Sequence, residues 1–276
     1  MMTVAQTMQS SGLSALDASV LMRHVLGWSA EQLASRAKES IASHAVESYN
    51  AAVARRAAGE PVAYIVGERE FFSLEFKVTP AVLIPRPETE LLVEFALEQF
   101  APDSPFRVLD LGTGSGCIAI TIAHHRPHAN IVAVDASATA LEVARDNARR
   151  HAVTAIEFVQ SDWFGALCER QFDLIVVNPP YIADGDPHLK RGDVRFEPAA
   201  ALSGGCDGLA CIRLIVASAP QYLRAGGWLV FEHGYDQCER VRELLAAAGF
   251  VSILSRRDIA GIERLAGAQS SLTRRD

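Results

Sequence analysis

Asn178-Pro179-Pro180-Tyr181 follows directly on Phe172-Asp173-Leu174-Ile175-Val176-Val177, an apolar run interrupted only by Asp173. These residue types suit one chemical task. An amide or amino nitrogen is a weak nucleophile because its lone pair is delocalised. The Asn178 side-chain oxygen and the Pro179 carbonyl can each accept one N–H of a planar –NH2 group. That would fix the direction of the nitrogen lone pair by position and by oriented dipoles. Tyr181 can stack against the same flat group. The competing reading is a plain rigid turn, because two prolines fix φ.

The element that must hold this corner is a buried strand. Residues 172–177 are largely β-branched and bounded by proline, which cannot donate to a strand ladder. The corner therefore sits at a strand's carboxyl end, where open α/β sheets bind ligands.

Upstream lies a second set of candidates. Phe106 to Leu111 reads as a strand running into Gly112-Thr113-Gly114-Ser115-Gly116, followed by a helix from Cys117 to about His125. A glycine-rich turn between strand and helix lets a ligand approach the backbone. The spacing is G-x-G-x-G, with Cys117 where the last glycine of a dinucleotide fingerprint would stand. Asp110, just before the turn, suits a ligand with a positive amino-acid end better than a pyrophosphate. Ile131 to Asp135 is the next strand, and its terminal carboxylate can grip both hydroxyls of a ribose. A helix runs from near Ser137 through Arg150. Ile156 to Gln160 is a third strand, ending in Ser161-Asp162-Trp163-Phe164. Asp162 can accept from an adenine amino group and Trp163 can flank the ring, or Trp163 can be an ordinary core aromatic.

This order of strands, turn and acids is similar to the layout of class I S-adenosylmethionine methyltransferases. More narrowly, the chain resembles the release-factor glutamine methyltransferases, known as PrmC or HemK. The resemblance rests on Ile84-Pro85-Arg86-Pro87-Glu88-Thr89-Glu90, Asp110 through Gly116, Ser161 to Phe164 and Asn178 to Tyr181. It continues in Asp186-Pro187-His188-Leu189, Gly192 through Pro198 and Glu232-His233-Gly234.

The resemblance implies a seven-stranded mixed sheet with helices on both faces and a small N-terminal helical domain. It implies methylation of the side-chain amide nitrogen of glutamine in the Gly-Gly-Gln loop of class I peptide chain release factors, with S-adenosylmethionine converted to S-adenosylhomocysteine. By match, Gly112 to Gly116, Asp135, Asp162, Trp163 and Asn178 would contact the donor. Asn178 through Tyr181, with Arg86 and Glu88, would hold the glutamine. For Arg86 and Glu88 the alternative is a solvated charge pair.

The expected domains are residues 1–67, a helical bundle for substrate recognition; 68–80, a β-hairpin linker; and 81–276, the methyltransferase domain. In the bundle, helices are expected over Ser14–Leu26, from Ser29 with a Ser29/Gln32 capping box, and over about Ala45–Ala58. Phe71 to Val78 reads as a hairpin, and a helix begins after Pro87 and runs to about Phe100.

Half the chain is apolar, no run of eighteen apolar residues occurs, and no signal pattern is seen, so a soluble, cytoplasmic protein is expected. A monomer is expected. The five cysteines show no C-x-x-C pattern and no metal is expected. The net charge of −7 weighs against a surface that wraps nucleic acid.

Two rival readings remain at this level: a methyltransferase acting on adenine in DNA or RNA, and a non-catalytic S-adenosylmethionine-binding module. His124 and His128 sit at a helix end and read as dipole-favoured cations rather than ligands. Glu232-His233 reads as fixing the sheet edge or cleft wall rather than as an acid/base pair. Arg149-Arg150 is a helix-end pair and Arg274-Arg275 a tail. Phe250 to Ser255 and Ile262 to Leu265 are the last expected strands, the final one at an antiparallel edge. No chemistry is assigned to the loop at 199–212.

Overall fold

The computed structural model describes residues 2–271, so Arg274-Arg275 lies outside the described residues. The chain forms two compact units. One holds the chain up to Glu68 together with Arg191–Phe196; the other holds Arg69–Lys190 and the chain from Glu197 onward.

The first unit contains α1 (Val4–Gln9), α2 (Ala15–Leu26), α3 (Ala30–Ser35), α4 (Ser43–Ala57) and α5 (Val62–Val66). Three were expected; α1 and α5 are additional, and both are too short to show an apolar period. Thr3 and Gln6 make the same reciprocal capping box at α1 that Ser29 and Gln32 make at α3. Pro61 does more than follow a stop, since it is the cap residue that opens α5. Leu21, Met22 and Tyr49 are fully buried at the centre of this unit. Arg56 binds Asp17 at 2.8 Å and Asp193 at 2.7 Å. Gly59 is required by close approach: at φ +95, an added Cβ would stand 1.8 Å from the Arg195 guanidinium.

The second unit carries a hairpin, β1 (Glu68–Phe71) and β2 (Leu74–Lys77). Its two turn residues, Phe72 and Ser73, both have positive φ, the geometry that matches strand twist. Phe72 N donates to Glu90 Oε1 at 2.9 Å, which ties the turn to α6 (Glu90–Gln99).

The main sheet has β3 (Arg107–Leu111), β4 (Asn130–Asp135), β5 (Ile156–Gln160), β6 (Phe172–Val177), β7 (Leu223–Glu232), β8 (Val251–Arg257) and β9 (Glu263–Gln269) in the order β5-β4-β3-β6-β7-β9-β8. The first five neighbours are parallel, and β9 runs antiparallel to both β7 and β8. The expectation that the last strand forms the edge is therefore corrected. Leu265 to Ala268 are buried in succession, as an interior strand requires, and β8 takes the edge.

Alternation along each strand divides the core. Val108, Leu174 and Val176 face α6, α7 (Cys117–His125) and α8 (Ala138–Arg150). Leu109, Ile175 and Val177 face α9 (Ala210–Ser218) and α10 (Cys238–Ala247). Each such buried aliphatic side chain contributes roughly 1.5–3 kcal/mol. The sheet with helices on both faces is the expected α/β fold.

Candidate active site

Strand register brings the candidates together. Leu111 pairs with Val134 on one side and Val177 on the other, and Val177 pairs with Phe231. The next residues along these parallel strands are Gly112, Asp135, Asn178 and Glu232. They leave the sheet in one row where the strand order reverses between β3 and β6, which is where such sheets open a crevice.

A cavity of about 470 Å³ lies there, within the roughly 300–1,000 Å³ usual for small-molecule sites. Gly112, Thr113, Gly114, Ser115, Asp135, Asp162, Trp163, Asn178, Pro180 and Arg86 line it. Four of the expected residues lie outside that lining. Gly116 faces α8 instead: its Cβ would stand 2.8 Å from Ile120 Cδ1 and 3.2 Å from Ala144 Cβ, so its role is to let the helices close. Pro179 is buried behind the corner, and Tyr181 and Glu88 are half-buried beside it. Thr89, Pro85, Pro198 and Cys211 also line the cavity, although the sequence assigned Pro85, Pro198 and Cys211 no chemistry.

The glycine turn is open on the cavity side. Gly112 and Gly114 have φ of +70 and +55, and an added Cβ at either would meet nothing within 4 Å. Asp135 braces the turn, accepting from Gly114 N through Oδ2 and from Ser137 N through Oδ1, each at 2.9 Å. Trp163 is held at φ +47 beside the cavity, its carbonyl accepting from Ser161 Oγ at 2.8 Å. Asp110 is fully buried. Its Oδ2 accepts from Thr113 Oγ1 at 2.7 Å and Ala119 N at 3.2 Å, while Oδ1 has no partner among the described residues. Burial pushes this carboxyl up to about 7, opposed by those two bonds and assisted by Asp135. Burial likewise pushes the Cys117 thiol up to about 12, which leaves it protonated and unreactive.

Asn178 is tied by its amide nitrogen. Nδ2 donates to Thr89 Oγ1 at 3.0 Å, Thr89 Oγ1 donates to Glu232 Oε2 at 2.6 Å, and the Tyr181 hydroxyl donates to Glu232 Oε1 at 2.8 Å. Thr89 and Glu232 are both buried. Burial raises the Glu232 carboxyl, with Glu88 adding to the shift and the two hydroxyl donors and Arg264 opposing it. The Tyr181 phenol is pushed up by burial and by Glu232. His233, next in sequence, is separate from this network: its Nδ1 meets Gly234 O at 2.8 Å, and burial lowers its basicity. Glu232 is thus a buried anchor for Thr89 and Tyr181, outside the cavity lining, and His233 a buried ring on a separate bond.

Arg86 is not half of a solvated pair with Glu88. Its guanidinium binds Glu197, whose side chain is fully buried and also accepts from Ile84 N at 3.0 Å. Glu197 therefore fixes the cavity wall from Ile84 to Arg86.

The loop at 199–212 backs the corner. Gly204 N donates to Ile182 O at 2.8 Å, and Gln237 Nε2 donates to Tyr181 O at 2.9 Å. A Cβ on Gly208 would stand 2.4 Å from Tyr181 O, and one on Gly204 would stand 2.6 Å from Pro180 O. His124 and His128 are both exposed.

Comparison with known proteins places this arrangement. Residues 3–67 match the family model described as the PrmC N-terminal domain, and residues 88–201 match the methyltransferase small domain. A release factor glutamine methyltransferase of Burkholderia pseudomallei is 53% identical over 97% of this chain and 96% of its own. One from Xylella fastidiosa is 47% identical over 94% of each chain. The crystal structure of a methyltransferase from Pyrococcus furiosus shares the fold, with a TM-score of 0.55 at 18% identity over 79% of this chain and 98% of that one. On the strength of these full-length relatives, the chain belongs to the release factor glutamine methyltransferase family.

Proposed function

We propose that this chain transfers a methyl group from S-adenosylmethionine to the side-chain amide nitrogen of the glutamine in the Gly-Gly-Gln loop of class I peptide chain release factors, supporting translation termination. The observation that carries this reading is the orientation of Asn178. With Nδ2 committed to Thr89, Oδ1 is left as an acceptor at the cavity. A planar –NH2 group needs acceptors, and the glutamine amide supplies that group.

The cavity suits the donor. Ser115 lines its wall, and its Oγ, buried beside the Cys117 thiol, keeps hydrogen-bonding capacity for a polar ligand atom. Each Asp135 oxygen takes one backbone N–H and keeps a lone pair for a ribose hydroxyl. Asp162 is exposed at the cavity, suited to an adenine amino group, and Trp163 flanks it. When bound, S-adenosylmethionine supplies an electrophilic methyl carbon on a cationic sulfur and leaves as neutral S-adenosylhomocysteine.

The residues of the chain then have defined work. Asn178 Oδ1 and the Pro179 carbonyl accept the two amide hydrogens and aim the nitrogen lone pair; Pro180 and Tyr181 confine the amide plane. The apolar walls exclude water, which favours a transition state that disperses the sulfonium charge between sulfur and nitrogen before it leaves as a proton. The nitrogen loses its proton during or after attack, so no strong base is needed at Asn178. The first unit serves substrate recognition. Among the described residues no helix is long and apolar enough to cross a membrane; a release-factor substrate places the reaction in the cytoplasm.

The test is transfer of labelled methyl to a purified class I release factor, to a copy with the loop glutamine changed to alanine, and to DNA. Label on the native factor alone supports the proposal. Label on DNA alone overturns it, and cofactor binding without any transfer would favour a binding module.

A further inference from the structure

We infer that Glu232 is a positioning residue that dictates, through Thr89, which end of the Asn178 amide faces the substrate, and so makes the site selective for a hydrogen-bond donor. The inference rests on the proposed function and extends it to two residues that do not touch the reacting nitrogen.

Along Glu232–Thr89–Asn178 the hydrogen atoms run in one direction. Each Glu232 oxygen already has its own hydroxyl donor, so neither donates back along the chain. Glu232 Oε1 receives the Tyr181 hydroxyl and Oε2 receives the Thr89 hydroxyl. Thr89 has a single hydroxyl hydrogen. Once that hydrogen points at Glu232, only lone pairs remain for Asn178, so the amide must turn Nδ2 toward Thr89. Oδ1 is thereby aimed the other way. The polarity starts at a buried carboxylate and ends as an acceptor in the cavity.

Removing the carboxylate reverses this logic. In Glu232→Gln one hydroxyl must face an N–H. If that is Thr89, its hydrogen swings toward Asn178 and the amide flips, presenting N–H to the substrate's own N–H. If it is Tyr181, the phenol loses its acceptor. Either result misaligns the substrate amide, and the donor-binding residues Asp135 and Ser115 take no part in the chain.

The test compares Thr89→Val, Thr89→Ser, Glu232→Gln and the Thr89→Val/Glu232→Gln double variant. Each is assayed for methyl transfer to a release factor, for S-adenosylmethionine affinity and for thermal unfolding. In parallel, the Asn178 side-chain NH2 resonances are followed by 15N NMR, which reads the chain whether or not a substrate is turned over. For the wild type we expect one Asn178 amide proton to be shifted and protected by its bond to Thr89, and to lose that signature in Thr89→Val; in Glu232→Gln the signature is lost where the new N–H faces Thr89 and kept where it faces Tyr181. Thr89→Val and Glu232→Gln should each lower kcat at least tenfold with donor affinity kept within about threefold. Thr89→Ser should restore most of the rate, and the double variant should be no worse than the poorer single one, because both break one chain.

An Asn178 resonance indifferent to Thr89→Val overturns the inference, as does an additive double variant or a Thr89→Ser as damaged as Thr89→Val. A wild type that methylates no release factor overturns the proposed function instead, while the resonances still decide the orientation of Asn178.

Discussion

Asn178 and Glu232 are 54 positions apart in sequence (232 − 178) and adjacent in the sheet, because Val177 on β6 pairs with Phe231 on β7. Two parallel strands ending in register bring an amide to the crevice and set a buried carboxylate one hydroxyl away from it. Thr89, contributed by a turn before α6, closes the gap between them with bonds of 3.0 and 2.6 Å.

Replacing Asn178 with alanine removes the oriented acceptor and leaves the donor cavity largely intact. kcat should fall by about 10²–10³, as for loss of one preorganised dipole at a reacting centre. Steady-state rates on a release factor, with donor binding measured separately, check this; an unchanged kcat would rule out the role given to Asn178.

Glu197→Ala should destabilise the second unit by about 2–3 kcal/mol. Breaking a fully buried pair costs more, but Arg86 keeps 30% of its side chain exposed and rehydrates in part. The Ile84 N–H also loses its acceptor. Urea unfolding measures the loss, and the same variant should show a raised KM because the wall from Ile84 to Arg86 is released.

Gly208→Ala tests the backing loop. The residue has φ +74, and the new Cβ would stand 2.4 Å from the Tyr181 carbonyl, a backbone atom that cannot yield cheaply. Strain and overpacking together should cost about 2–4 kcal/mol. The midpoint of thermal unfolding should fall. Any folded fraction should show reduced kcat, since Tyr181 is displaced from Glu232.

Asp110 gives a pH dependence of defined sign. Its folded value of about 7 lies above the ordinary 3.8, so between those limits the folded chain keeps a proton that the unfolded chain has released. Stability from this group therefore declines as pH rises through that window and stays low above it. Asp110→Asn preserves acceptors for Thr113 and Ala119 and abolishes the titration. Between about pH 5 and pH 8 the wild type should lose on the order of 2–3 kcal/mol relative to this variant, read from urea midpoints.

The local elements of the fold were legible in the sequence. The glycine turn, the acid ending β4 and the strand before Asn178 are written in consecutive residues, and the structure places each at the same end of one sheet. Short elements were not: α1 and α5, of six and five residues, are too brief to show a helical period, although Thr3 and Gln6 carry a capping signature. Partnerships across long separations were also invisible. Arg86 beside Glu88 suggests a surface pair, yet its partner Glu197 stands 111 positions away. Thr89 and Glu232 are separated by 143 positions, and no sequence pattern couples a threonine after a Pro-Glu pair to an acid ending a strand. The place of β9 inside the sheet depends on pairing rather than on composition, which reads the same for an interior or an edge strand.

That placement has a consequence for how the chain is made. β7, which carries Glu232, gains its second neighbour only when residues 263–269 insert between it and β8. During synthesis the five parallel strands are complete well before that, so β7 stands for a time with unpaired backbone groups and an apolar flank. Such an edge invites pairing with another chain. Substitutions that slow β9 should therefore lower soluble yield at high expression before they alter the activity of molecules that have finished folding.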